Sequence, residues 1–171
     1  MRRRIQRFSD KYHYVIHLLI GIAIFYFLKD ETTNHDQLLF WCMIGSLIPD
    51  IDHLFFYFIY GRKTEYASIV KSYLRKKEIR NFMKFCSLNH KKQTHLYSHN
   101  ILTPAFALML SPFFINHGAV AASGFFMSIG FHFIFDIFED VFVYGIFNRN
   151  WIFRFNTKCK VTLEEVPAPR E

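Results

Sequence analysis

Between Gln93 and Phe135 the chain has no aspartate, glutamate, lysine or arginine, a run of 43 residues. A helix crosses a bilayer with about 20 apolar residues, so that run has room for two crossings turning around residues 111–118. The alternative for such a stretch is a buried soluble bundle rich in phenylalanine, of which the chain has 22. Its three cysteines (Cys42, Cys86, Cys159) form no CxxC and lie far apart. They are expected as packing residues or free thiols, in keeping with a reducing compartment. No small-x-small cleavage site follows residues 26–30, so the basic start and its apolar sequel are expected as a retained first span rather than a signal peptide. No nucleic-acid motif accompanies the pI of about 9.4, which makes a nucleic-acid partner an unneeded explanation of the charge.

What is present is an all-α pattern: a polytopic helical bundle of about four membrane spans. The expected spans cover residues 12–28, 38–60, 96–114 and 119–147, and a basic loop covers 61–92. Residues 1–155 form one membrane-embedded domain, and 156–171 a polar tail expected to be disordered. The basic residues are confined to a few blocks. Arg2, Arg3, Arg4, Arg7 and Lys11 precede the first span, ten Lys and Arg fall in 61–92, and five more in 148–171. The remaining connections hold only Lys29 with Asp30, Glu31 and Asp36, and no charge at all at 115–119. The positive-inside rule then predicts four spans with both termini and the long loop in the cytoplasm, and anionic lipid adds a second attraction for the basic blocks.

Against this apolar background the polar residues inside the spans stand out. Asp50, Asp52 and His53 sit in LIPDIDHLFF, and His132 and Asp136 in GFHFIFDIF. An aspartate at the centre of a span costs about 2.5–3.5 kcal/mol on insertion scales, so such residues need partners. Histidine and aspartate together are the ligand types of a divalent metal. His132 and Asp136 are four apart and share a helix face. They can chelate one ion, bridge two, or simply hydrogen-bond to each other. Asp50 and His53 face together if a helix resumes at Pro49, although Asp50 could instead serve only as that helix's N-cap. Pro49 breaks the span, and irregular backbone at membrane depth is tolerated only against protein or a wet cavity.

His95 and His99 open the third span, His17 faces inward in the first, and Asp52 points elsewhere on helical spacing. By the predicted topology all of these lie in the cytoplasmic half of the bilayer. His35 and His117 fall on the other side as bystanders. Glu139 and Asp140, nearly on the His132 stripe, are read as interfacial, and His13 as lying nearer the headgroups.

The order of these motifs carries a resemblance. His17, then Gly45-Ser46-Leu47-Ile48-Pro49-Asp50-Ile51-Asp52-His53, then His90-Lys91-Lys92-Gln93-Thr94-His95, then His132-x-x-x-Asp136 resembles the YdjM-type family of membrane-bound metal-dependent hydrolases over residues 13–155. The middle motif departs from the family pattern at Lys91, Lys92 and Leu96. Ser98-His99-Asn100 is an alternative equivalent, so both His95 and His99 stay candidates.

The family's similarity to zinc-dependent phospholipase C-like enzymes implies a zinc-activated water attacking a phosphoester; the number of candidate ligands is enough for one or two ions, and their depth fits a lipid or lipid-linked phosphoester at the cytoplasmic leaflet. The expected metal ligands are His17, Asp50, His53, His95 or His99, His132 and Asp136. Asp52 is the candidate general base, or a carboxylate behind the ligands. The rival expectation is a metal-binding membrane protein without chemistry, either a transporter or a structural metal site.

Overall fold

In a computed structural model that describes residues 2–89, 96–145 and 151, every regular element is helical. Helix α1 (Arg2–Leu28) turns one stripe inward: Ser9 and, two turns on, His17, then Gly21, Ile24 and Leu28 at intervals of three or four residues are buried. The stripe is polar up to His17 and apolar beyond Gly21. Helix α2 (His35–Leu47) starts on Asn34, whose side-chain oxygen accepts from the Gln37 amide at 3.2 Å. It gives way to a 3-10 turn, Ile48–Asp50, at Pro49, which has no amide hydrogen to continue the ladder. A short helix α3 (Ile51–Phe55) and a π-helical turn (Phe56–Tyr60) complete that crossing.

Helices α4 (Glu65–Arg75) and α5 (Ile79–Asn89) follow, then α6 (Leu102–Asn116) and α7 (Val120–Phe138). Helix α7 runs on as a π-helical segment, Glu139–Tyr144, and stops at Gly145 with φ 66°, a left-handed terminus that favours glycine.

Three segments are long and apolar enough to cross a membrane: Lys11–Glu31, His35–Tyr60 and Val120–Tyr144. They agree with the expected first, second and fourth spans. The third differs. Residues 96–101 are not helical, and α6, at 15 residues, is about 22 Å long against a hydrocarbon core of about 30 Å. Local polar groups explain the late start. The Asn100 side-chain oxygen accepts from the amides of Leu102 (2.9 Å) and Thr103 (3.2 Å), while the Ser98 amide is spent on Asp52. Pro104 then falls in the first turn of α6, where its missing N–H breaks no ladder bond.

The segment expected as a basic loop contains the α4–α5 hairpin. Thr64 caps α4 by accepting from the Ala67 amide at 3.2 Å. Tyr66, Val70 and Phe85 pack with Phe56, Tyr57 and Leu96 into a small core beneath the π turn. The tail 156–171 lies outside the described residues.

Helix α7 is the centre of the bundle, packed against α2, α6 and α1. It buries 44% of its most apolar window inside the protein, against 22% for the first span, so the outer helices leave most of their side chains to the surroundings. Those side chains are Phe27, Phe40, Phe106, Phe113 and others like them, a surface suited to lipid and not to water.

Candidate metal centre

His132 and Asp136 project from the same face of α7, with His132 Nε2 3.3 Å from Asp136 Oδ2. Three further elements bring residues to this pair. Helix α1 carries His17, whose Nε2 is 3.6 Å from Asp136 Oδ1 and whose ring stacks on that of His132 with centroids 3.7 Å apart. The Pro49 turn carries Asp50, with Oδ1 3.8 Å from His132 Nε2. The non-helical segment before α6 carries His99, with Nε2 3.7 Å from Asp136 Oδ2. Asp50 does stand at the N-cap of α3, but its side chain makes no capping bond.

The backs of two imidazoles fix their tautomers. His132 Nδ1 lies 2.7 Å from the Ser46 carbonyl oxygen, which can only accept, so Nδ1 carries the proton. Ser98 Oγ donates to Asp52 Oδ2 at 2.7 Å and therefore accepts from His99 Nδ1 at 3.0 Å. In their neutral forms both rings then aim an Nε2 lone pair at carboxylate oxygens. His99 lies outside the spanning helices. Burial, with the His53 imidazole beside it, pushes its pKa down to about 3, so it is neutral at physiological pH.

Lone pairs facing carboxylates need a positive centre between them, either a proton or a metal cation. The spacing is compatible with a cation. Hydrogen bonds run roughly 2.7–3.2 Å, and these contacts are longer. Donor atoms about 2.0–2.1 Å from a tetrahedral zinc stand about 3.3–3.4 Å from one another, close to the separations seen. Two sets of three, His17 with Asp50 and His132, and His13 with His17 and Asp136, each offer ligand atoms within 4.8 Å of one another. Asp50 Oδ2 and His132 Nε2 are buried with no hydrogen bond among the described residues. The donor set, histidine nitrogen and carboxylate oxygen without cysteine, fits zinc or a similar divalent ion.

The structure thus brings together His17, Asp50, His99, His132 and Asp136. His53 stands beside them, its ring 5.3 Å from that of His99, and belongs to neither ion-sized set. His95 lies outside the described residues. Asp52 is held by Tyr60 Oη at 2.6 Å and by the Ser98 amide and hydroxyl at 2.9 and 2.7 Å. These bonds anchor the segment that carries His99.

Glu139, expected at the interface, is fully buried, with Oε2 3.6 Å from His13 Nδ1 and its other oxygen accepting from Ser9. His13, expected nearer the headgroups, has its Nε2 3.1 Å from His17 Nε2. Spacing held a signal for both. Glu139 is three residues past Asp136 and seven past His132, and His13 is one turn before His17.

A family model describing the YdjM inner membrane protein matches residues 13–148. The chain belongs to the YdjM inner membrane protein family. Every described residue of the cluster lies within the matched range, and the three long apolar helices agree with an inner-membrane location. No curated protein and no solved structure matches the chain.

Proposed function

We propose that this member of the YdjM family is a divalent-metal-dependent hydrolase whose site opens to the cytoplasmic leaflet and acts on a lipid or lipid-linked phosphoester. The observation that carries the reading is the pair of imidazoles locked from behind, by Ser46 and by Ser98, with both Nε2 atoms aimed at Asp136. His17, Asp50 and His132, whose ligand atoms lie within 4.8 Å of one another, are the residues that would hold the cation, with Asp136 and His99 beside them. A divalent metal there supplies a water with its pKa lowered toward ~7 and a Lewis acid for a phosphoryl oxygen.

The chain's own residues supply the rest. Asp50 Oδ2, which makes no hydrogen bond, is the atom assigned to take the proton from water. Asp52 and Ser98 keep His99 in place. The apolar helix walls keep bulk water out, which strengthens each electrostatic contact inside. The orientation, with termini and the α4–α5 hairpin in the cytoplasm, rests on the basic blocks.

A metal site without chemistry is the second reading, and burial favours it. Side-chain exposure is 0% at His132 and 4% at Asp136, so a substrate reaches only the edge formed by Asp50 (16%) and His99 (12%). The test runs in two stages. Metal content by mass spectrometry on detergent-purified wild type, beside a His132→Ala/Asp136→Ala double variant, is expected to give bound divalent metal that the variant loses. The metal-loaded protein is then assayed for phosphate or headgroup release from phospholipid vesicles, beside Asp50→Asn. No metal in the wild type overturns both readings. Metal without turnover on any phosphoester leaves the second.

A further inference from the structure

A cavity of about 490 Å³ lies between the starts of α2 and α7, open on one side. That volume falls within the roughly 300–1,000 Å³ of small-molecule sites. It reaches Val120 at the first turn of α7, about 18 Å along that helix from His132. Its rim is polar. Thr32, Asn34 and Gln37 line it and hold one another in place. Thr32 Oγ1 accepts from the Asn34 amide at 3.1 Å, and Asn34 Nδ2 donates to Gln37 Oε1 at 3.1 Å. Those bonds leave the Thr32 hydroxyl hydrogen, one Asn34 N–H and the Gln37 NH2 group to spare. One turn deeper the walls are aromatic. Trp41 faces Phe125 of α7 with ring centroids 5.5 Å apart and planes at 84°, and it stays 38% exposed, so part of the indole is left for a guest. One turn further, Gly45 brings α2 onto the Phe125 backbone and bounds the cavity there.

The lining narrows the ligand class. Among the described residues no charged side chain lines the cavity. Phosphates and carboxylates are held best by charged donors, and hard cations by carboxylate oxygens. An acyl chain offers nothing to the rim amides. A sugar offers both halves of the match: hydroxyls that donate and accept, for the amides and the threonine, and an apolar C–H face for the indole. We propose that this cavity binds an uncharged sugar, free or as the headgroup of a lipid. Thr32, Asn34 and Gln37 hold its hydroxyls and Trp41 packs on its ring. On the orientation that the basic blocks predict, the rim faces the outer leaflet. The inference is independent of the metal-centre reading.

The test uses the full chain with Trp151→Phe, which leaves Trp41 as the only tryptophan, in a polyoxyethylene detergent that carries no sugar. Glucose, maltose and octyl glucoside below its micelle concentration are the probes, with phosphocholine as the counter-probe. Binding is read by equilibrium dialysis and by Trp41 emission. Saturable sugar binding is expected. Gln37→Ala, which keeps the backbone amide that Asn34 accepts, is expected to weaken it about 2–10-fold. Ala122→Leu, which fills the cavity, is expected to abolish it with unfolding and metal content unchanged. Octyl glucoside bound more tightly than the free sugars assigns a glycolipid head, and equal binding assigns the sugar ring alone. No saturable binding of any sugar, undiminished binding by Ala122→Leu, or phosphocholine bound as tightly as the sugars overturns the proposal and leaves the metal centre untouched.

Discussion

His132 donates through Nδ1 to the carbonyl oxygen of Ser46, 86 residues earlier in the chain and 2.7 Å away. Ser46 lies in the last turn of α2, where carbonyls have no amide ahead of them in the helix and need outside partners. The bond is reachable because α2 and α7 nearly touch backbone to backbone one residue before it. A Cβ on Gly45 would overlap the carbonyl group of Phe125. Close packing at Gly45, a free carbonyl at Ser46 and a chain break at Pro49 together set Asp50 against His132.

Gly45→Ala should therefore act on both stability and the site. Forcing a methyl between the helices costs about 1–3 kcal/mol, and moving α2 off α7 draws Ser46 and Asp50 from His132. The control is Gly118→Ala. Its Cβ would meet nothing, but φ is +73°, so the expected loss is the backbone term of about 1–2 kcal/mol, with metal binding unchanged. Detergent-solubilised unfolding curves and metal titrations on the two variants check this. A Gly45→Ala protein as stable and as tight as wild type would refute the packing argument.

The apolar runs were enough to find three spans, because length and hydropathy alone decide whether a helix crosses a bilayer. Helical spacing was enough to pair His132 with Asp136 and to turn His17 inward. The residues that escaped it depend on contacts between distant elements. The late start of α6 follows from Asn100 capping its first amides and from Ser98 spending its amide on Asp52, 46 residues upstream. The α4–α5 hairpin rests on a core shared with Phe56 and Leu96, which a reading by charge alone passes over. Glu139 looked interfacial because depth along α7 was the only guide. Its burial comes from Ser9 and His13 on α1.

Trp151 closes the far side of the site. Its indole Nε1 donates to Asp140 Oδ2 at 2.8 Å, and its carbonyl oxygen accepts from the Ile101 amide at 2.7 Å, two residues from His99. Trp151→Phe keeps the ring and removes one hydrogen bond to a buried carboxylate, a loss of about 1–3 kcal/mol. In a double-mutant cycle with Asp140→Asn the coupling should be about 0.5–3 kcal/mol. A coupling near zero in unfolding experiments would show that the tryptophan acts only through its bulk.

Orientation has a direct test. In a background with Cys86→Ser and Cys159→Ser, a membrane-impermeant maleimide added to intact cells should label Asn116→Cys and spare Lys76→Cys, both positions being exposed. Permeabilised cells should label both. The reverse pattern would put the basic hairpin outside and contradict the positive-inside reading.

Asp52 separates positioning from proton transfer. Its carboxylate accepts from Tyr60 and twice from Ser98, and Ser98 in turn takes the proton of His99 Nδ1. Asparagine at this position keeps one acceptor oxygen and puts an NH2 group, which cannot accept, against the other donor. The segment holding His99 then loosens, and metal affinity should fall about 10–100-fold, with full occupancy restored at higher metal concentration. Asp136→Asn, which removes a charge at the centre of the cluster, should not be rescued that way. Were Asp52 the base that takes a proton from water, Asp52→Asn would bind metal as wild type does and lose turnover at saturating metal. Metal titration alongside kcat on the same preparations distinguishes the two, and the three hydrogen bonds already holding that carboxylate favour the loss in affinity.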